Sequence, residues 1–119
     1  PQNRYCIENR AADMTMNVYL AFSMTLSAAV EGIKKKIHPG KPTDQDLYNM
    51  TDSEFKKLGI KRLPRNLLMA IEALKNDNLS EEVIGSVMKK SLLTYKNDEW
   101  ERYHQAVTDW EVKEYLRLY

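Results

Sequence analysis

Glu8 and Arg10 are the residues of this chain whose types and spacing could do chemistry. They lie in Arg4-Tyr5-Cys6-Ile7-Glu8-Asn9-Arg10, where Tyr, Cys and Ile favour extended backbone and predict a short strand over residues 4–9. In extended backbone, residues i and i+2 point to the same face, so Glu8 and Arg10 project together while Ile7 and Asn9 project the other way. A carboxylate and a guanidinium placed like this hold a cation and an anion side by side. The same spacing also makes a surface ion pair. Exposed pairs are common and weakly informative, so on spacing alone that reading comes first and a catalytic one second. Other chemistry is sparse. His38 and His104 lack the spacing of paired metal ligands and read as structural or surface residues. No nucleophile–His–carboxylate set, Cys/His cluster or glycine-rich phosphate loop is present in the sequence.

The elements that must position the pair are helical. A lone strand cannot satisfy its own backbone groups, and no second convincing strand follows, so the partner strand is expected from missing sequence or another copy of the chain. Asp13 or Thr15 is a candidate cap for the next helix. Val18, Tyr19, Phe22, Leu26, Ala29, Val30, Ile33 and Ile37 recur at helical spacing, with Ala and Ser between them, which predicts a helix that is apolar nearly all round and therefore buried. Lys34, Lys35 and Lys36 fall in its last turn, where cations oppose the helix dipole. His38-Pro39-Gly40-Lys41-Pro42 is a turn, and Asp44 to Tyr48 predicts one helical turn.

Thr51-Asp52-Ser53-Glu54 is a capping box opening a short helix that stops at Gly59. Lys61-Arg62-Leu63-Pro64-Arg65 lacks interleaved aromatics and reads as a solvated linker. Leu67, Leu68, Ile71, Ala73 and Leu74 make an amphipathic helix ending in a polar loop at 76–78, and Ser80 begins a long helix that Gly85 weakens slightly. Thr108-Asp109-Trp110-Glu111 is a second capping box, starting a terminal helix with Val112, Tyr115 and Leu116 inward. Trp100, Tyr103, Trp110 and Tyr115 read as core or interface. The fold expected is mainly α: one short N-terminal strand, then a helical domain of about five helices.

Bulk properties exclude several classes. The 119 residues fit a single domain over 1–119, large enough to fold without disulfides or metals. A net charge of +1 gives no global field toward nucleic acid or an anionic membrane, so neither is an expected partner. The apolar run 18–30 is too short to span a bilayer. The single cysteine, Cys6, suits a reducing compartment and a cytoplasmic location. The chain opens on Pro1, and its most chemical residues lie within ten positions of that end, which suggests a processed chain or a piece of a larger one.

Ile7-Glu8-Asn9-Arg10, Asp13, Asn17 and Tyr19-Leu20 together resemble the C-terminal part of glutamine synthetase, which carries an Ile-Glu-x-Arg strand, then Pro-Asp-Pro, then Asn-Pro-Tyr-Leu at this spacing. The resemblance continues without a gap through Glu31-Gly32-Ile33-Lys34, Lys36-Ile37-His38-Pro39-Gly40 and Asp46-Leu47-Tyr48. Leu63-Pro64, Glu99-Trp100, Val107 to Glu111 and Tyr115-Leu116 look most like the type III or GlnT-like branch.

The resemblance implies a ligase joining glutamate to ammonia with ATP through a γ-glutamyl phosphate. It implies Glu8 as a metal ligand for Mg2+ or Mn2+, and Arg10 as the residue contacting glutamate and the transferring phosphate. Hard divalent ions prefer carboxylate oxygens, and a guanidinium grips a carboxylate or phosphoryl group with two parallel hydrogen bonds. Cys6 stands where the family often has an arginine, with Arg4 the candidate replacement. Ala12, Met14 and Val18 stand where it has prolines. Related ligases use methylamine, ethanolamine or polyamines. The other metal and nucleotide contacts of the family lie upstream, so the isolated chain is expected to be inactive and to bind neither metal nor ATP tightly. Its expected partners are the remainder of the ligase chain and the other subunits of a homo-oligomer. A non-catalytic helical interaction module is the rival reading.

Overall fold

The computed structural model describes residues 6–116. Five helices occur among them: α1 (Val18–Lys34), α2 (Asp52–Lys57), α3 (Leu67–Asn76), α4 (Asn78–Gln105) and α5 (Asp109–Tyr115). The mainly helical class agrees with the sequence expectation, but the strand does not. Residues 6–9 adopt no regular structure, and no strand is found among the described residues. Arg4 and Tyr5 lie outside them. The physical reason is the one that made the strand demanding: with no second edge to pair with, extended backbone gives its hydrogen bonds to water. The chain divides by internal packing into two units, Pro1–Leu63 and Pro64–Tyr119.

In the first unit, α1 is capped by Asn17, whose Oδ1 accepts the Leu20 amide at 3.1 Å, rather than by Asp13 or Thr15. Its end differs from expectation too. The helix stops at Lys34, Lys35 is the C-cap, and Lys36 takes a left-handed conformation at φ 51°. The Ile37 amide then donates to the Gly32 carbonyl at 2.9 Å and the Lys36 amide to the Ile33 carbonyl at 3.1 Å. This is a Schellman cap with lysine where glycine is favoured.

The end of α2 repeats that geometry with the favoured residue. Gly59 sits at φ 68°, and the Ile60 amide donates to the Phe55 carbonyl at 3.0 Å. The left-handed region costs an L-residue about 1 kcal/mol or more relative to glycine. Lys36→Gly is therefore expected to stabilise the α1 terminus by about 1 kcal/mol, read as a raised melting temperature, with Gly59→Lys lowering it by a similar amount.

The apolar face of α1 is not buried. No residue of α1 falls in the buried class, and Phe22 and Ile33 are 69% and 78% exposed. Helical spacing correctly aligned the apolar residues. Among the described residues of the first unit none is buried, so the apolar side chains of α1 stay largely open. The expected helical turn at Asp44 to Tyr48 is absent. Asp46 instead accepts from the Tyr48 amide at 3.0 Å and the Asn49 side chain at 2.9 Å, closing a side-chain turn that competes with helix. Arg62, in the basic linker, folds back on α2: its guanidinium lies 4.1 Å from the Phe55 ring centre and 2.9 Å from Asp52.

In the second unit, α3 packs on α4. Asn66 caps α3 through the Met69 amide at 2.9 Å. The expected loop at 76–78 shrinks to one residue. Asp77 ends α3 and also caps α4, accepting the Ser80 amide at 2.6 Å. Ile71 is the one buried hydrophobic residue described, joined by buried Ser80 and Lys89. Gly85 does more than weaken α4: at φ 78° and ψ 154° it breaks the helix into two pieces. Val112, Tyr115 and Leu116, expected inward, are exposed, as are Tyr103 and Trp110. Trp100 stacks on His104 and Trp110 meets Tyr115 edge-on, so these aromatics pair locally along or beside their helices rather than in a core.

Both capping boxes form. The Glu54 carboxylate accepts the Thr51 amide at 2.7 Å, and that of Glu111 accepts the Thr108 amide at 2.7 Å. These bonds favour the ionised form. The Thr51 hydroxyl, then its amide, holds Glu54 below the ordinary value of 4.5, and the Thr108 amide, then its hydroxyl, does the same for Glu111. A carboxyl lowered by folding contributes stability above its unfolded value and loses it as pH falls through the lowered one. Helicity at α2 and α5 is expected to hold from neutral pH to about pH 5 and decline below pH 4, followed by circular dichroism. Glu54→Gln with Glu111→Gln should flatten that decline.

Candidate functional site

The approach to α1 is folded by three amide or carboxylate side chains spaced four residues apart. Asn9 Oδ1 accepts the Ala11 amide at 3.0 Å. Asp13 Oδ1 accepts the Thr15 amide at 2.7 Å and the Thr15 hydroxyl at 2.6 Å. Asn17 then caps the helix. Each bond closes a short turn that replaces backbone pairing, so residues 9–17 are held without a strand. The Thr15 hydroxyl, and after it the Thr15 amide, keeps the Asp13 carboxyl below its ordinary range. The sequence offered Asp13 or Thr15 as the cap of the next helix. The regular recurrence of Asn, Asp and Asn was the available signal for this turn series.

Glu8 and Arg10 stand just before these turns and are brought together as their spacing suggests. Arg10 Nε donates to Glu8 Oε1 at 2.8 Å, and Nη2 donates to Oε2 at 3.4 Å. This is a forked, charge-assisted contact. Both side chains are open to solvent, at 84% and 69% exposure for Arg10 and Glu8. In this form each satisfies the other, which is the geometry of a surface ion pair.

A carboxylate able to bind a hard cation and a fork able to grip an anion are both present. The rest of a two-metal site is not: among the described residues no group of three or more His, Cys, Asp or Glu gathers to hold a metal ion. The described residues thus do not make a divalent-cation site by themselves, and Glu8 supplies at most one ligand. The other sequence candidates do not join them. His38 Nδ1 accepts the Gly40 amide at 3.0 Å within its turn, and His104 is stacked on Trp100. Cys6 is free and exposed. No described helix is long and apolar enough to cross a membrane.

Comparison with known proteins matches residues 1–115 to the family model described as glutamine synthetase, catalytic domain. A glutamine synthetase of Archaeoglobus fulgidus is 40% identical over 112 residues, covering 94% of this chain and 23% of that protein. One from Methanococcus maripaludis is 36% identical, covering 94% and 25%. A glutamate–methylamine ligase of Methyloversatilis universalis is 34% identical, covering 95% and 25%. The chain spans about a quarter of the length of these curated relatives, and the matched region is their C-terminal part.

Proposed function

This chain belongs to the glutamine synthetase family, and from that premise we propose that its residues are the C-terminal portion of one catalytic domain. The enzyme is a ligase that joins glutamate to ammonia at the expense of ATP. In that reaction a γ-carboxylate oxygen of glutamate attacks the terminal phosphorus and ADP leaves. Ammonia then attacks the acyl carbon of the γ-glutamyl phosphate, phosphate leaves, and a proton is released. The observation that carries the reading is the Glu8/Arg10 fork, set in Ile7-Glu8-Asn9-Arg10 at the head of the matched region and followed by the Asn17-capped helix.

Arg10 is proposed to contact the glutamate substrate and the phosphoryl group in transfer, because its planar fork already grips a carboxylate in this structure. Glu8 is proposed as one carboxylate ligand of a Mg2+ or Mn2+ ion whose remaining ligands lie outside these 119 residues, as do the ATP contacts. The two roles require the Glu8–Arg10 contact to open, each partner exchanging the other for a ligand. Further subunits and the rest of the ligase chain are the proposed partners, and the free Cys6 thiol fits a cytoplasmic setting.

The experiment compares the 119-residue chain alone with the same residues expressed in frame with the coding sequence that precedes Pro1. Glutamate- and ammonia-dependent ADP release is expected only from the longer protein. Turnover by the isolated chain would overturn the division of the site. A second reading, γ-glutamylation of another amine, is favoured by the methylamine-ligase relative. Exchanging ammonia for methylamine in the same assay decides between them.

A further inference from the structure

The break in α4 and the burial of a lysine beside it have one explanation. From Asn78 to Gln105 the only residue with non-helical torsions is Gly85, and the sequence 78–105 contains no proline. A Cβ built on Gly85 meets nothing within 4 Å, so side-chain crowding does not cause the break. Its φ of 78° and ψ of 154° form a combination open essentially to glycine alone. Across the break, Lys89 Nζ reaches the Asp77 carbonyl at 2.6 Å, with Glu81 Oε2 at 3.7 Å. The Lys89 side chain is only 8% exposed. The same Asp77 carbonyl accepts the buried Ser80 hydroxyl at 2.7 Å.

That seat and an unbroken helix exclude each other. In a continuous α-helix, residues 77 and 89 are separated by about 18 Å along the axis, far beyond the reach of a lysine side chain. Bending gives up helix hydrogen bonds spanning Gly85 and gains a charge-assisted bond in a partly dry setting. Straightening reverses both terms.

We propose that Lys89 is a latch holding α4 bent at Gly85, so that residues 78–84 form a hinged segment with two arrangements, bent and continuous with 86–105. Seating the ammonium on the Asp77 carbonyl selects the bent one. The bend also shapes an open groove beside α3, lined in part by Ile71, Lys75, Glu81, Lys89 and Leu93, so releasing the latch remodels that groove. Lys89 is a positioning residue here and is assigned no contact with a substrate.

The test is a distance measured across the break. With Cys6→Ser as background, spin labels at Glu82→Cys and Glu101→Cys occupy exposed positions on either side of Gly85 in the full chain. A continuous helix separates these positions by about 28 Å. The native chain is expected to show a shorter distance, Lys89→Arg to retain it, and Lys89→Met to move most molecules to the longer one. Gly85→Ala, which keeps the Lys89 side chain but forbids the torsions, is expected to lengthen it as well. An unchanged short distance in Lys89→Met overturns the proposal. If Lys89→Met instead loses its helical signal, Gly85→Ala decides alone, and a short distance there overturns it.

Discussion

Arg10→Lys in the assembled ligase is expected to lower kcat/KM by roughly 100- to 1,000-fold, the scale seen when one donor to developing transition-state charge is lost. Lysine keeps the positive charge but not the planar fork, and the fork is what Arg10 already displays toward Glu8, with Nε and Nη2 on its two oxygens. Steady-state kinetics in glutamate, paired with a thermal melt of the same protein, checks this. The pair is highly exposed, and surface pairs of this kind generally contribute less than about 1 kcal/mol to stability. An activity loss with an unchanged melting temperature is therefore the signature of the proposed role. A melting shift with unchanged activity would return Glu8 and Arg10 to a plain surface pair. Glu8→Gln should give a comparable loss together with a raised requirement for divalent cation, because the amide keeps the shape but not the charge.

Ile71→Ala carries the largest expected effect on stability. Truncating a buried isoleucine removes its transfer free energy and leaves a cavity, together about 2–5 kcal/mol. Ile71 is 3% exposed, and no other described hydrophobic residue is buried, so it is the most deeply buried apolar side chain of the α3–α4 pair. Hydrogen exchange should show amides of α3 and the first piece of α4 losing protection together. Leu68→Ala on the same helix, where the side chain is already 39% exposed, should cost markedly less.

What was legible in the sequence was local. The two capping boxes need residues only three apart, and both helices begin where Thr51 and Thr108 place them. The Glu8/Arg10 juxtaposition needs residues two apart and is also observed. Whatever depended on a distant surface was not legible. The strand at 4–9 required a second edge that the described residues do not provide, and the periodicity of α1 identified an apolar face without identifying what covers it. Torsions were intermediate. Gly85 signalled a weak point, but choosing between a tolerated glycine and a broken helix depended on Lys89 finding the Asp77 carbonyl twelve residues away. Lys36 gave no signal at all, since nothing in its chemistry favours the left-handed region.

Asp77 finishes one helix and begins the next, and this limits how the chain can change in length. Each residue inserted into an α-helix turns everything after it by about 100° about the axis. With only Asp77 between α3 and α4, there is no slack to absorb an insertion or deletion at 76–78 without rotating Ser80 and Lys89 away from Ile71. The stretch 38–50 contains no helix and is exposed almost throughout, so it has that slack. Homologues of different length should therefore differ at 38–50 and keep the 76–78 junction at constant length, whatever residues they place on either side of it.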